Sequence, residues 1–293
     1  MGKLIETLQR VRKPGGGSIG FFGRGAQPPT RPKAAAILVA LGQPDAGLVE
    51  AVKKAGADGV LFTAQNGRGS KAMTVEPYFE AAAALRAANL PWGLDLAGVV
   101  SSLNADAFKT LREGSVDFIS FPFSAPARLL QERPEGLDRI VTLESRLFDI
   151  EKESNLLTLR SVNLLSVQAV RLEAGFSAEF LRSLTIEDLL RYRMLRESLR
   201  FPALVSVEER LGQEEVRTLM KLGASAAVVQ PAAGESLPAF VERISALREE
   251  LERVPTQERE DEDVPHVGLP TPATTIKREE PAEPDVEPDE DEG

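Results

Sequence analysis

Between Ala34 and Val254, short apolar runs rich in β-branched residues alternate with longer segments whose apolar residues recur every three to four positions. The first kind of run reads as a buried strand, the second as a helix laid against a sheet. Candidate strands fall at 36–41, 59–63, 92–96, 116–121, 139–143, 163–167, 203–207 and 226–229. Candidate helices fall at 46–55, 75–88, 105–113, 147–159, 178–184, 186–199, 213–222 and 237–252. Strands alternating with helices build βαβ units on a parallel sheet. Eight units in roughly 220 residues fit an α/β fold, a single (β/α)8 barrel. A doubly wound open sheet is the alternative. No G-x-G-x-x-G follows the first strand, which counts against a dinucleotide-binding form of it.

An internal repeat supports the closed ring. Ile37-Leu38-Val39 and the stretch from Lys54 to Leu61 return 167 positions later, without a gap, as Leu204-Val205-Ser206 and Lys221 to Val228. Both copies read strand, helix, Lys-x-Gly-Ala, strand. The glycine ends a helix in a left-handed cap, and the small residues permit a tight turn into the next strand. This pattern resembles the aldolase-type (β/α)8, or TIM, barrels. The resemblance is generic and covers most of 34–254; it implies a fold and no particular reaction.

In such barrels the working groups sit at the C-terminal ends of strands and in the loops that follow. Strand side chains alternate faces. If Ile37, Val39, Leu41, Leu94, Leu96, Val141, Leu143, Leu165, Val167, Val205 and Val207 face the helices, the other parity points inward. That parity holds Thr63, Asp95, Ser120, Thr142, Glu144, Ser166, Gln168, Ser206, Glu208 and Gln230. Asp95, Glu144 and Glu208 end candidate strands three, five and seven, and alternate strands feed one interior layer. Three unpaired carboxylates there would repel, and at least one would hold its proton. Either a hard cation such as Mg²⁺ is shared among them, or arginines pair with them; Arg146, Arg171 and Arg210 are near in sequence. Asp95, Glu144 and Glu208 are therefore the candidate metal ligands or acid/base groups. Gln168, Gln230 and Arg68 are the candidates for orienting a substrate.

Several other barrel chemistries fit poorly. No candidate strand ends in Lys, so a Schiff-base mechanism has no obvious nucleophile. Phosphate-binding barrels use turns after strands seven and eight, and here those turns carry Glu208, Glu209 and Glu235. The loop 65–70, with Arg68, is the remaining anion candidate. With no Cys, thiolate chemistry, disulfides and Cys-ligated metals are excluded. The single His266 lies near the C-terminus, away from the barrel, which disfavours a histidine base.

The ends of the chain have opposite charge. Residues 255–293 hold 14 Asp/Glu, 3 Lys/Arg and 7 Pro, and the whole chain of 293 residues carries −10. Such a segment buries too little apolar surface to fold, so a disordered acidic tail is expected, either solubilising or contacting a basic partner. Residues 1–33 hold 7 Lys/Arg against one Glu. In this basic arm Leu4, Ile5, Leu8 and Val11 share a helix face. Two placements suit that face, closing the bottom of the domain or lying on an anionic membrane. No run is apolar enough to span a bilayer and no secretory signal opens the chain, so a cytoplasmic protein is expected. The near-neutral body and few aromatics disfavour nucleic acid.

The domain expectation is thus an arm (1–33), a barrel (34–254) and a tail (255–293). Two functions fit. One is a lyase- or isomerase-type enzyme for a small polar or carboxylated ligand. The other is a non-catalytic barrel that binds or assembles partners through its charged ends.

Overall fold

The computed structural model describes residues 2–12, 34–66, 75–100, 105–131, 136–174 and 176–254. The rest of the basic arm, the loop holding Arg68 and the acidic stretch 255–293 lie outside these residues. Eight strands run β1 (Ala36–Leu41), β2 (Gly59–Thr63), β3 (Trp92–Asp95), β4 (Phe118–Pro122), β5 (Asp138–Glu144), β6 (Ala169–Glu173), β7 (Ala203–Val207) and β8 (Ala224–Val229). They close into one parallel barrel in chain order, β8 pairing back onto β1 through Ala36 and Ala226. The open-sheet alternative is thereby excluded.

The helices are α1 (Lys3–Arg12), α2 (Ala46–Lys54), α3 (Phe79–Ala87), α4 (Ala105–Glu113), α5 (Arg128–Gln131), α6 (Glu153–Val162), α7 (Ala178–Ser183), α8 (Ile186–Glu197), α9 (Gln213–Lys221) and α10 (Leu237–Arg253). Side-chain caps set the starts of several of them. Asp45 accepts from the first turn of α2, Thr185 and Asp188 form a capping box on α8, and Ser236 caps α10. Among the described residues no helix is long and apolar enough to cross a membrane.

Strand six is a correction. Residues 163–167 were expected there, but β6 begins at Ala169. Two apolar runs compete in this stretch, and the first is used to end α6. Asn163 is its C-cap, donating from Nδ2 to Ser198 O at 2.7 Å and accepting from Arg200 N at 2.9 Å. Leu164, which a strand would bury, is 85% exposed.

The core has two layers. The larger lies between sheet and helices and takes one strand parity, including Ile37, Val39, Phe62, Leu94, Val141, Leu172 and Val205. The smaller fills the lower barrel interior with Leu38, Leu61, Phe118, Ile140, Leu204 and Val228. Its other strand positions are small. Ala36, Ala169 and Ala226 belong to it, and a Cβ on Gly59 or Gly93 would strike Leu38 or Phe118 at 2.8 or 2.4 Å. Barrel interiors usually hold bulky branched layers; here the volume is completed from outside the ring. Leu4, Ile5 and Leu8 of α1 insert among these residues and are buried. The apolar face of the arm's helix therefore closes the bottom of the barrel. Asp138, at the start of β5, accepts the Ile5 N–H at 3.2 Å, and Lys3 Nζ lies 3.0 Å from Asp117.

Polar side chains lock the same end. Asp58, Asp117 and Gln168 each precede a strand and grip the strand before it twice. The backbone N–H of each donates to a carbonyl (Ile37, Trp92, Arg139), and its side chain accepts that residue's own N–H at 2.8–3.1 Å. The internal repeat has a structural counterpart. Gly56 and Gly223 both adopt positive φ, 99° and 83°, which a side chain would strain. Over each lies an arginine stem from a helix two elements away in the ring: Arg248 of α10 donates from Nε to Gly56 O at 3.0 Å, Arg196 of α8 to Gly223 O at 3.2 Å.

Candidate functional site at the C-terminal mouth

The strand registers place one inward position per strand side by side across half the barrel. Thr63 neighbours Asp95, Asp95 neighbours Ser120, and Thr142 neighbours Arg171. The residues between them in sequence, Leu94, Ile119, Val141, Leu143, Val170 and Leu172, belong to the outer layer. A polar tier therefore lies above the apolar plug, and its members contact one another. Arg171 Nη1 donates to Asp95 Oδ2 at 2.9 Å across the barrel, and its Nε to Ser206 Oγ at 3.3 Å. Ser120 and Thr142 share a hydroxyl hydrogen bond of 3.1 Å. The Arg171 side chain is 9% exposed and that of Asp95 22%, so the pair is mostly withdrawn from water while one edge of the carboxylate stays accessible. Asp95 Oδ1 also accepts the Ala97 N–H at 3.1 Å, which fixes the carboxylate plane. Arg171 Nη2 has no hydrogen-bond partner among the described residues.

The other candidates lie apart from this pair. Glu144 ends β5 beside Glu173 of β6 and is bridged by Arg146 at 2.6 Å. Glu208 and Gln230 expose their side chains and instead offer their carbonyls to Arg243, at 3.1 and 2.7 Å. Arg210, one of the three arginines considered for these carboxylates, reaches Glu242 at 3.3 Å. Among the described residues no three carboxylate or imidazole groups gather closely enough to hold an ion. Of the two ways of answering the charge of Asp95, Glu144 and Glu208, a shared cation such as Mg²⁺ finds no such cluster among the described residues. Arginines answer the charge at Asp95 and Glu144, and Glu208 sits on an exposed turn. Gln168 is also corrected: it lies at the opposite, N-terminal end, in the strand lock described above. Arg68 lies outside the described residues.

Two groups shape this mouth in ways the sequence did not show. Arg171, already a candidate partner for the carboxylates, falls outside the expected strand six, although a single arginine inside Ala169-Val170-Arg171-Leu172 is itself a signal of an inward charge. Arg243, buried on α10, ties the last two loops together. Its Nε and Nη2 form a two-point bridge to Glu235 at 3.0 and 2.7 Å, and the guanidinium carbon lies 5.3 Å from the Phe240 ring centroid. This bridge holds the Glu235 carboxyl below its ordinary range, against the opposing pull of desolvation.

A cavity of about 520 Å³ is built from the ends of β5 and β6 together with α7 and α8, with Ser145, Phe148, Ala174, Phe180, Asp188 and Tyr192 in its wall. Its size is that of ordinary small-ligand pockets. Phe176, Phe180 and Tyr192 pack as a triad with centroids 5.2–5.8 Å apart. Burial raises the pKa of the Tyr192 hydroxyl, and Asp188 adds to the rise.

No protein-family profile matches this chain, and no curated protein matches it by sequence. Solved structures do match in shape. Thiamine phosphate pyrophosphorylase from Pyrococcus furiosus aligns with a TM-score of 0.51 and 15% identity, over 75% of this chain and 96% of that one. A mutant tryptophan synthase α-subunit from Pyrococcus furiosus gives 0.53 and 15%, over 75% and 98%. Tryptophan synthase from M. tuberculosis in its ligand-free form gives 0.53 and 15%, over 75% and 94%. At this identity the likeness establishes the TIM-barrel fold and nothing finer.

Proposed function

We propose that this protein is a lyase- or isomerase-type enzyme that acts on a small carboxylated or carbonyl substrate at the C-terminal mouth of its barrel. The observation that carries the reading is the Asp95–Arg171–Ser206 chain, a mostly buried charge pair joining three strands above a closed apolar floor. A barrel serving only as a scaffold has no need of an arginine in its interior, where an unpaired charge is costly. Asp95, hydrogen-bonded by Arg171, is the general base. It removes a proton from the carbon beside a carbonyl, and the electron pair moves onto the carbonyl oxygen. Arg171 Nη2 donates to that developing oxyanion. Asp95 then returns the proton to a neighbouring carbon in an isomerisation, or the intermediate expels a β-leaving group in a lyase reaction. Glu144 and Gln230, at the rim, orient the remainder of the substrate, and the Phe180–Tyr192 cavity receives its apolar part.

The test is proton exchange. A panel of small 2-oxo and 2-hydroxy carboxylates is incubated in D₂O with wild type, Asp95→Asn and Arg171→Met, and the α-proton signal is followed by NMR. Exchange by wild type, lost in Asp95→Asn, is the expected result. A wild type that exchanges no member of the panel, or an Asp95→Asn variant that exchanges as fast, defeats the proposal. The non-catalytic reading draws on one observation, that Asp95 and Arg171 already compensate each other. It predicts ligand-induced stabilisation with no exchange.

A further inference from the structure

The loop after β8 holds a charge cluster that the proposed chemistry does not use. Three N–H donors, from α10 and from the loop itself, converge there on one carboxylate. Arg243 donates from Nε and Nη2 to the two oxygens of Glu235, at 3.0 and 2.7 Å. The backbone N–H of Ala232 donates to the second of these oxygens at 2.9 Å. The Arg243 side chain is 9% exposed and that of Glu235 14%. Further contacts fix the guanidinium in place. Its Nη1 donates to Glu208 O and its Nη2 also to Gln230 O, and the Phe240 ring packs against it.

This is the donor set of a small-oxyanion site. A forked guanidinium matches two oxygens of one group, and a loop N–H aims at the same point. It stands beyond the C-terminal end of the last strand, where phosphate-binding barrels hold their ligand's phosphate. What differs is the occupant. Glu235 lies three residues after Ala232, in a turn closed by Glu235 N donating to Ala232 O at 3.0 Å and by Gly234 at a φ of 77°. The chain bends back and places its own carboxylate on the donors. The loop after β7 repeats the device, Glu209 Oε2 accepting the Ala178 N–H at 3.2 Å. The second buried guanidinium at the mouth is held otherwise. Arg171 meets Asp95 through Nη1 and has no partner for Nη2 among the described residues.

We infer that Glu235 is a specificity-determining residue. Its carboxylate is a resident anion that fills an oxyanion site at the last loop and closes it to phosphoryl groups. Of the two buried guanidiniums, Arg171 is the one left for a ligand, so the mouth selects unphosphorylated substrates. That last step rests on the mouth being the substrate site, as proposed above; the closure of the loop site does not.

Thermal melts of the full chain against sodium phosphate and sodium formate, each from ~1 to ~50 mM with NaCl at matched ionic strength as the control, read the closure through ligand-linked stabilisation. Glu235→Ala removes the resident anion and leaves Arg243 and the Ala232 N–H as donors. It is expected to melt below wild type and to regain about 3 °C or more over that range with either anion. Wild type, whose site is filled, is expected to move by less than about 1 °C. Glu235→Gln fills the same space with a neutral amide that still accepts, and should gain less than Glu235→Ala. Glu242→Ala removes the partner of Arg210, an exposed arginine, and should gain nothing. If Glu235→Ala does not fold in plain buffer, the yield of folded protein on refolding with ~50 mM formate replaces the melt. A wild type that gains as much from phosphate as Glu235→Ala, a Glu235→Ala variant that neither gains beyond the NaCl control nor is recovered by formate, or an equal gain in Glu242→Ala would each overturn the inference. These are readings of binding without turnover, so their failure is distinct from a failure of α-proton exchange at Asp95.

Discussion

The closure of the barrel floor by α1 makes a sharp prediction at Leu8. This side chain is fully buried among Leu38, Leu61, Phe118, Ile140 and other interior residues, although it lies far from them in sequence. Leu8→Ala removes three carbons, worth about 2.4 kcal/mol in transfer free energy at ~0.8 each. The ring around the site is hydrogen-bonded and cannot collapse inward, so a cavity term is added, giving about 3–4 kcal/mol in total. For a domain of this length each kcal/mol moves Tm by about 2–4 °C, so the melting point should fall by roughly 6–16 °C. Calorimetry of wild type and Leu8→Ala measures this, with Ile186→Ala, an exposed apolar position, expected to shift by no more than about 1 °C. The same packing leaves no apolar face on α1 for a bilayer, so the intact protein should not co-sediment with anionic vesicles. A fall of less than about 2 °C at Leu8, together with vesicle binding, would show that α1 leaves the barrel in solution and refute the plug.

Four further outcomes follow from named contacts. Burial raises the pKa of Asp138 in the folded chain, outweighing the Ile5 and Gly2 N–H groups that lower it. Its contribution to stability is therefore complete below the ordinary value of 3.8 and is lost as pH rises through the raised one. Asn mimics the protonated form and still accepts from Ile5, so Asp138→Asn should match wild type near the ordinary value and exceed it increasingly toward neutrality; urea midpoints at acid and neutral pH that diverge the other way count against the assignment. Arg248 binds Gly56 O through Nε and Nη2 at 3.0 and 2.7 Å and pairs with Asp58. Arg248→Met should cost about 3 kcal/mol by removing the guanidinium paired with a buried carboxylate, with amide exchange at Ile37 quickened most; an unchanged melt refutes it. At the mouth, Arg171→Met should cost about 2–3 kcal/mol, the lower end for a buried pair because Asp95 keeps some solvent. Adding Asp95→Asn should recover part of that loss, whereas two independent losses that simply add would show that the residues are not coupled. Finally, because arginines answer Asp95 and Glu144, ~5 mM Mg²⁺ should leave Tm unchanged; a rise that EDTA reverses would reveal a bound ion.

The fold was largely legible because each barrel unit announces itself locally. β1, β2 and β7 occupy the spans that the apolar runs mark, and the Lys-x-Gly-Ala repeat sits where Gly56 and Gly223 turn with positive φ. Strand six failed where two equivalent apolar runs stood side by side and only tertiary contacts chose between them. Asn163 bonds across to Ser198 and Arg200 near the end of α8, a pairing that no window of sequence contains. The floor was half visible. The small residues at inward positions of β1, β2, β3, β6 and β8 leave volume that the ring does not fill, and an amphipathic helix of matching apolar face precedes them.

The site was legible as an electrostatic problem rather than as a geometry. Carboxylates at strand ends require positive charge nearby, and both a cation and arginines satisfy that requirement on paper. What separates them is whether the carboxylates meet, and that depends on strand stagger. In the barrel Asp95 lies within the tier of Ser120 and Thr142, whereas Glu144 is one inward position above Thr142 and Glu208 is beyond the end of β7. Among the described residues these carboxylates form no such group, and a long side chain crosses the interior to one of them, as Arg171 does. A charge supplied this way is permanent and immobile. It binds one Asp95 oxygen, and it leaves one guanidinium edge for whatever anion enters the mouth. Whether that edge polarises a substrate or only holds a ligand is the difference between the two functional readings, and α-proton exchange separates them because binding alone moves no proton.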